Sequence, residues 1–281
     1  MKTVLITGGN TGIGLATAEA IAAQGHRVAL ACRDMGKAQQ AKQKILAQTP
    51  AADVRLYALD LASFDSIKSF SATFLNDFPS FDVLITNAGV VPRTQQFTKE
   101  GFELQFGVNY LGHYLLTHLL LPGMANVQGA RIVHLSSIMH HFGKIDFGTF
   151  KGEKKYSEIG AYGQSKLANL MFSNELAKRL PSNISSNAVH PGGVDSDIYR
   201  ELPKLLHQFL RLFLISTARA GKYVANMAVG SDWAGRTGEF KSAHGPLPIA
   251  KRSNDQQISE KLYNTSAQLC GVEPLVLSAR V

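Results

Sequence analysis

The stretch YSEIGAYGQSK (156–166) carries two tyrosines and one lysine. On a helix, side chains four residues apart share a face. Tyr162 therefore stands beside Lys166, whereas Tyr156 has only Gly160 at that offset. A phenol next to an ammonium group is an acid–base pair. Tyrosine starts from a pKa of about 10. A unit cation at ~4 Å in an effective dielectric of ~20 contributes about 4 kcal/mol, a downward shift on the order of 3 units. Desolvation of the phenolate opposes part of that shift. The hydroxyl is still drawn toward neutrality, where it can give a proton to a developing alkoxide or take one from an alcohol. Such chemistry needs a redox partner, which other parts of the chain must bind.

TGGNTGIG (7–14) follows the apolar run TVLIT (3–7) and opens a helix-forming stretch. Glycines there permit positive φ and let backbone N–H groups approach a diphosphate at a helix N-terminus. Gly8, Asn10, Thr11, Gly12, Ile13 and Gly14 are the candidate cofactor-binding residues of this loop. The alternative is a tight turn whose glycines serve packing alone. The lysine and Ser/Thr of a nucleotide-triphosphate loop are missing.

The second strand ends LACRD (30–34), with Cys32 where an acid would bind an adenosine ribose diol. Arg33 follows, and a guanidinium pairs with a phosphate and stacks on adenine. This favours NADP(H) over NAD(H). The competing assignment has Asp34 on the ribose and Arg33 solvated; Lys37 could assist or face solvent. Asp60 and Leu61 in LDLAS (59–63), and Asn87, Ala88 and Gly89 in TNAG (86–89), end two further strands, where ligands collect. Asp60 could accept from an adenine amino group or cap a helix.

The elements that must position these residues follow a simple rhythm. Apolar runs at 3–7, 27–32, 54–59, 82–86, 131–136 and 185–190 alternate with helical patterns near 13–24, 35–48, 64–77, 99–121 and 160–180. Strands apolar nearly throughout are those buried on both faces of a parallel sheet. The expected fold is α/β, a Rossmann-type doubly wound parallel sheet of about seven strands with helices on both faces. No linker divides residues 1–281, so one domain is expected, with 195–235 as a substrate-lid region. Helices are also expected at 217–229 and 255–270. Segment 202–215 is apolar at helical spacing and admits three assignments: lid, core helix, or membrane-surface docking.

The chain has 281 residues, 45% hydrophobic and 18% charged, which fits a globular protein. Its net charge of +8 could suggest nucleic acid, but the lysines and arginines are scattered and the densest run, KGEKK (151–155), reads as a solvated loop. No nucleic-acid partner is expected. Cys32 and Cys270 have no ligand-like spacing, so no metal site is expected. Adjacent His140 and His141 read as loop residues with diverging side chains, and His113 and His118, five apart, are not brought together. The opening apolar run is too short for a signal peptide or membrane span, and a cytoplasmic protein is expected. Helices near 99–121 and 160–180 are apolar on more than one face, which suits a homo-oligomer.

TGGNTGIG, NAG, Asn109 in GVNYLGH, LSS (135–137) and YGQSK occur in the order and spacing of the short-chain dehydrogenases/reductases, and the chain resembles that family over almost its whole length. The resemblance implies that Tyr162 is the acid/base and that Lys166 lowers its pKa and holds the nicotinamide ribose. It further implies that Ser137 hydrogen-bonds the substrate oxygen and that Asn109 holds a water joining Lys166 to solvent. Pro191, Gly192 and Val194 would complete the cofactor contacts. ACRD, FGVNYLGHYLLTHLLLP, SSIMHHFGKIDF, SKLANLMFSNELAKRL and AVHPGGV are most similar to the retinol dehydrogenase and WW-domain oxidoreductase group, which implies NADP preference. PGGVDSD (191–197), with its second glycine and its acids, departs from that group, and the substrate is left open. The expected activity is interconversion of an alcohol and an aldehyde or ketone on an apolar small molecule. The alternatives are a non-catalytic NADP(H) sensor, and a fold-sharing epimerase or dehydratase, whose usual TGxxGxxG loop differs from TGGNTGIG.

Overall fold

The computed structural model describes residues 1–192 and 216–277. Its β-branched apolar runs form strands because such side chains pack well on a pleated surface buried on both faces. They are β1 (Thr3–Thr7), β2 (Arg27–Cys32), β3 (Val54–Ala58), β4 (Val83–Thr86), β5 (Ala130–Leu135) and β6 (Ile184–His190), joined by a short β7 (Phe240–Ser242). The sheet runs β3-β2-β1-β4-β5-β6-β7, and every pairing is parallel. The order reverses between β1 and β4, which opens a crevice beyond the carboxyl ends of the strands. Register brings those ends to one edge: Thr7 pairs with Ala31, Cys32 with Ala58 and Thr86 with His134.

The helices are α1 (Gly12–Ala22), α2 (Met35–Gln48), α3 (Phe64–Asp77), α4 (Leu104–Phe106), α5 (Gly112–Leu120), α6 (Glu158–Arg179), α7 (Thr217–Val229) and α8 (Gln256–Cys270). Side-chain oxygens of Asp34, Ser63, Glu103, Ser157, Ser216 and Asp255 accept first-turn N–H groups at six of their starts. The helix expected over 99–121 begins later, at Leu104, because Thr98 N–H bonds Phe102 O and closes a turn at Gly101 (φ 80°). It then widens into a π-helical turn, Gly107–Leu111.

Alternation along β1 divides the core between the two faces of the sheet. Val4 and Ile6 pack with α1, α2 and α7, whereas Leu5 packs on the side of α3, α5, α6 and α8. Of the range expected to form a substrate lid, residues 216–235 carry α7, which packs so closely on α1 that a Cβ on Gly221 would stand 2.5 Å from the Ala16 carbonyl carbon. Segment 202–215 and Val194 lie outside the described residues.

Part of the apolar surface of α5 and α6 is covered within the chain by α8. Tyr110 Oη meets Ser266 Oγ at 2.8 Å, and Tyr114 Oη donates to Tyr263 O at 3.0 Å. His118 Nε2 lies 3.0 Å from Tyr263 Oη, and the Arg179 guanidinium 4.3 Å from that ring's centroid. Tyr110, Tyr114 and Tyr263 are fully buried. Among the described residues no helix is long and apolar enough to cross a membrane.

Candidate active site

Thr7 ends β1 and anchors the glycine loop. Its Oγ1 accepts from the N–H groups of Asn87 (2.9 Å) and Ala88 (3.0 Å), and Asn87 Nδ2 donates back to Thr7 O (2.8 Å) and Gly8 O (3.1 Å). The two glycine-rich segments are thus one hydrogen-bonded unit. Gly14 is required by packing, since a Cβ there would lie 2.4 Å from Gly8 O. Gly12 (φ 54°) faces open space, and an added Cβ would meet no atom within 4 Å. Thr11 makes no side-chain cap on α1, and the first turn holds no acid. The first N–H groups of that turn therefore have no capping side chain, beside the crevice that Gly12, Ile13 and Gly14 line.

A cavity of about 490 Å³ runs along the sheet edge from this loop to Tyr162. Gly8, Asn10, Thr11, Gly12, Ile13 and Gly14 line it, as do Arg33, Asp60, Leu61, Asn87, Ala88 and Gly89. Tyr162, Lys166 and Pro191 line its other end. Gly192 (φ 104°), Asn109 and Ser137 stand outside this lining. Cavity residues not singled out from the sequence include Leu59, Val90, Val91, Val108, Leu135 and Ser136. Leu59, Val108, Leu135 and Ser136 lie inside the motifs LDLAS, GVNYLGH and LSS, and Val90 and Val91 directly follow NAG, a proximity that could have flagged them.

At one end Arg33 is exposed on the rim. Asp34 is engaged locally, its Oδ1 accepting from Lys37 N–H (2.9 Å) as the cap of α2, and Lys37 Nζ lies 3.9 Å from Asp34 Oδ2. Cys32 is buried, and burial pushes its thiol up to about 11. It presents no charge to a ribose. Asp60 does not cap α3, a task taken by Ser63; one Asp60 oxygen accepts from Ala62 N–H at 3.0 Å within a tight turn.

At the other end, α6 places Tyr162 and Lys166 on one face, with Lys166 Nζ 5.5 Å from the Tyr162 ring centroid. The ammonium donates to Leu135 O at 3.1 Å. Burial lowers its pKa to about 8, so it is still charged at neutral pH. The paired serines divide their tasks. Ser136 Oγ donates to Lys166 O (2.8 Å), whereas Ser137 Oγ accepts from Met139 N–H (3.2 Å) and keeps its own hydrogen to give. Asn109 sits in the π turn with its amide committed: Oδ1 accepts from Val90 N–H (2.7 Å), and Nδ2 donates to Val90 O and Ser165 Oγ (both 3.1 Å). A Cβ on Gly89 would stand 3.3 Å from Asn109 Oδ1 and 3.8 Å from Lys166 Nζ, so the chain passes close to both. Tyr156 is a brace, donating to Pro92 O at 2.5 Å and accepting from Gln105 Nε2 at 2.8 Å.

Four histidines were assigned no chemistry, and the structure gives each a structural partner. His118 and His113 contact different elements, Tyr263 and Thr7. His140 Nδ1 lies 2.6 Å from Ser137 O, and its Nε2 accepts from Ala250 N–H at 3.2 Å. The expectation that His140 and His141 diverge is corrected: a 3-10 turn over Ile138–His141 brings their ring centroids to 4.3 Å. No cluster of metal-ligating side chains occurs among the described residues.

Comparison with known proteins agrees with this architecture. The family model for short chain dehydrogenase matches residues 2–205. Retinol dehydrogenase 12 of Mus musculus is 42% identical over 275 residues, covering 97% of this chain and 87% of the relative. Retinol dehydrogenase 13 of Homo sapiens is 38% identical over 282 residues, covering 97% and 85%. Among solved structures, an uncharacterized protein from Mycobacterium Paratuberculosis superposes with a TM-score of 0.77 at 32% identity, covering 98% of this chain and 96% of the other. A blue fluorescent protein from a metagenomic library, in complex with NADPH, shares the fold (TM-score 0.70, 22% identity, 88% and 98% covered). The chain belongs to the short-chain dehydrogenase family and, within it, to the retinol dehydrogenase-like group of oxidoreductases.

Proposed function

We propose that the protein interconverts an alcohol and an aldehyde or ketone on an apolar small molecule, with NADP(H) as cofactor and Tyr162 as general acid/base. One observation carries this proposal: the buried ammonium of Lys166 lies against the Tyr162 ring in the same cavity that the glycine loop opens into. The residues present fit a nicotinamide dinucleotide. The uncapped start of α1 would hold its diphosphate, Asp60 its adenine amino group and Lys166 its nicotinamide ribose. Arg33 would pair with a 2′-phosphate, while Asp34 is occupied as a helix cap. When bound, the cofactor supplies or accepts the hydride.

The remaining chemistry belongs to the chain. Below a pH of about 8 the Lys166 ammonium is charged, and it stabilises the Tyr162 phenolate relative to the phenol. Tyr162 then donates its hydroxyl proton to a forming alkoxide, or removes one from an alcohol in the reverse direction. Ser137 has a hydrogen to donate to the reacting oxygen. Val90, Val91, Val108 and Leu135 give the cavity apolar walls. An apolar substrate is also what the relatives' name, retinol dehydrogenase, suggests.

The test is consumption of NADPH, with NADH in parallel, across a panel of aldehydes and ketones that includes retinal. Turnover confined to NADPH is the expected result. Tight NADPH binding with no turnover anywhere in the panel would instead favour a cofactor sensor.

A further inference from the structure

His113 is 1% exposed, and the acid–base chemistry proposed above does not use it. Both of its ring nitrogens have partners on opposite sides of the site. Nε2 lies 2.9 Å from Thr7 Oγ1, a residue 106 positions away, and Nδ1 lies 3.0 Å from Asn109 O. Counting donors and acceptors fixes the tautomer. A carbonyl only accepts, so Nδ1 carries the hydrogen. Thr7 Oγ1 already accepts from the N–H groups of Asn87 and Ala88, which uses both its lone pairs. Its single hydrogen therefore points to His113 Nε2 or to Ile85 O, and the former is nearer, 2.9 Å against 3.4 Å. Burial lowers the His113 pKa to about 4, so the neutral ring persists over the working range.

From Asn109 the chain of bonds continues. Asn109 Nδ2 donates to Ser165 Oγ at 3.1 Å, and Ser165 Oγ donates to Tyr162 O at 2.9 Å. The amides of Asn87 and Ala88 at the cavity wall are thus joined through Thr7, His113, Asn109 and Ser165 to the main chain of Tyr162. No other side chain in this series bonds both β1 and the π turn.

We propose that His113 is a positioning residue, its Nε2 holding Thr7 and the cofactor loop and its Nδ1–H holding the Asn109 peptide beside Lys166 and Tyr162. This rests on the activity proposed above. It assigns the two nitrogens separable effects: loss of the Nε2 acceptor loosens the cofactor, and loss of the Nδ1 donor slows the chemical step.

The experiment measures the NADPH dissociation constant, kcat with retinal or with a better carbonyl from the panel, and thermal unfolding, in the wild type and four variants. His113→Asn keeps a donor near Nδ1, His113→Gln keeps an acceptor near Nε2, and His113→Leu keeps neither. One buried hydrogen bond corresponds to a change of about tenfold. His113→Asn should weaken NADPH about tenfold with kcat within about threefold of wild type. His113→Gln should do the opposite, and His113→Leu should lose both. Equal effects of the three folded variants on both constants, or none on either, would overturn the proposal. The fourth variant, Tyr162→Phe, separates the two failures. If it remains active, the acid/base assignment falls. If it is inactive while the His113 variants show no split, only the role of His113 falls. If no carbonyl turns over, the NADPH affinities of His113→Asn and His113→Gln still decide the Thr7 half, and equal affinities overturn it.

Discussion

The two ends of the cavity, one proposed to hold the dinucleotide and the other to carry the reaction, are built in different ways. At the dinucleotide end the working groups are main-chain N–H groups at an uncapped helix start, with glycines where a Cβ would collide or intrude, and an exposed arginine on the rim. At the reacting end they are side chains with little exposure, Lys166 (5%) in the lining and Asn109 (0%) outside it, whose polar atoms are committed to partners. On the proposed function, the first end selects by shape and one surface charge, and the second works by holding a phenol next to a desolvated cation. Damage at the first should therefore appear as lost affinity, and damage at the second as lost rate.

Lys166→Met should reduce turnover most among these tests, by about 10²–10⁴-fold, with a smaller change in NADPH affinity. It should also alter the pH dependence of folding. Burial lowers the folded-state pKa of Lys166 from 10.5 to about 8, so the unfolded chain holds that proton more tightly. The Lys166 contribution to stability should therefore rise with pH between about 8 and 10.5. That component should be missing from denaturant melts of Lys166→Met; an identical pH profile would count against a buried cation.

At the opposite end, Arg33→Ala should raise the NADPH dissociation constant about 10–100-fold and leave that of NADH within about twofold, as titrations of both would reveal. Equal losses would remove the 2′-phosphate contact. Gly14→Val drives a side chain toward Gly8 O, 2.4 Å from its Cβ. It should weaken both dinucleotides about tenfold alike and cost about 1–3 kcal/mol of stability. In the same π turn as Asn109 but bonded to α8, Tyr110 is tested by Tyr110→Phe, which deletes its bond to Ser266. It should cost about 1 kcal/mol in a denaturant melt with kcat unchanged. A change in kcat there would mean that the α8 seam communicates with the site.

Much of the dinucleotide end is legible in the sequence because main-chain recognition demands a residue type. Gly8, Gly12 and Gly14 stand where backbone torsion or packing admits no side chain, and the apolar runs before them can only be buried strands. The Tyr162–Lys166 offset is equally local. Partners distant in sequence are what a linear reading cannot supply. His113 reads as one polar residue in an apolar helix until Thr7 is brought to it across 106 positions. The π turn at Asn109, the burial of α5 and α6 under α8, and the three-residue β7 likewise depend on tertiary packing that no periodicity encodes. The close, tilted approach of the His140 and His141 rings depends on a 3-10 turn that pairwise spacing rules do not anticipate.

The central claim, that Tyr162 transfers the proton and does little for binding, is tested most directly by Tyr162→Phe. NADPH affinity and NADPH-dependent carbonyl turnover should be measured on the same sample. The expected result is affinity within about twofold of wild type and turnover reduced by about 10²–10⁴-fold. Turnover near the wild-type rate with affinity intact would contradict the account.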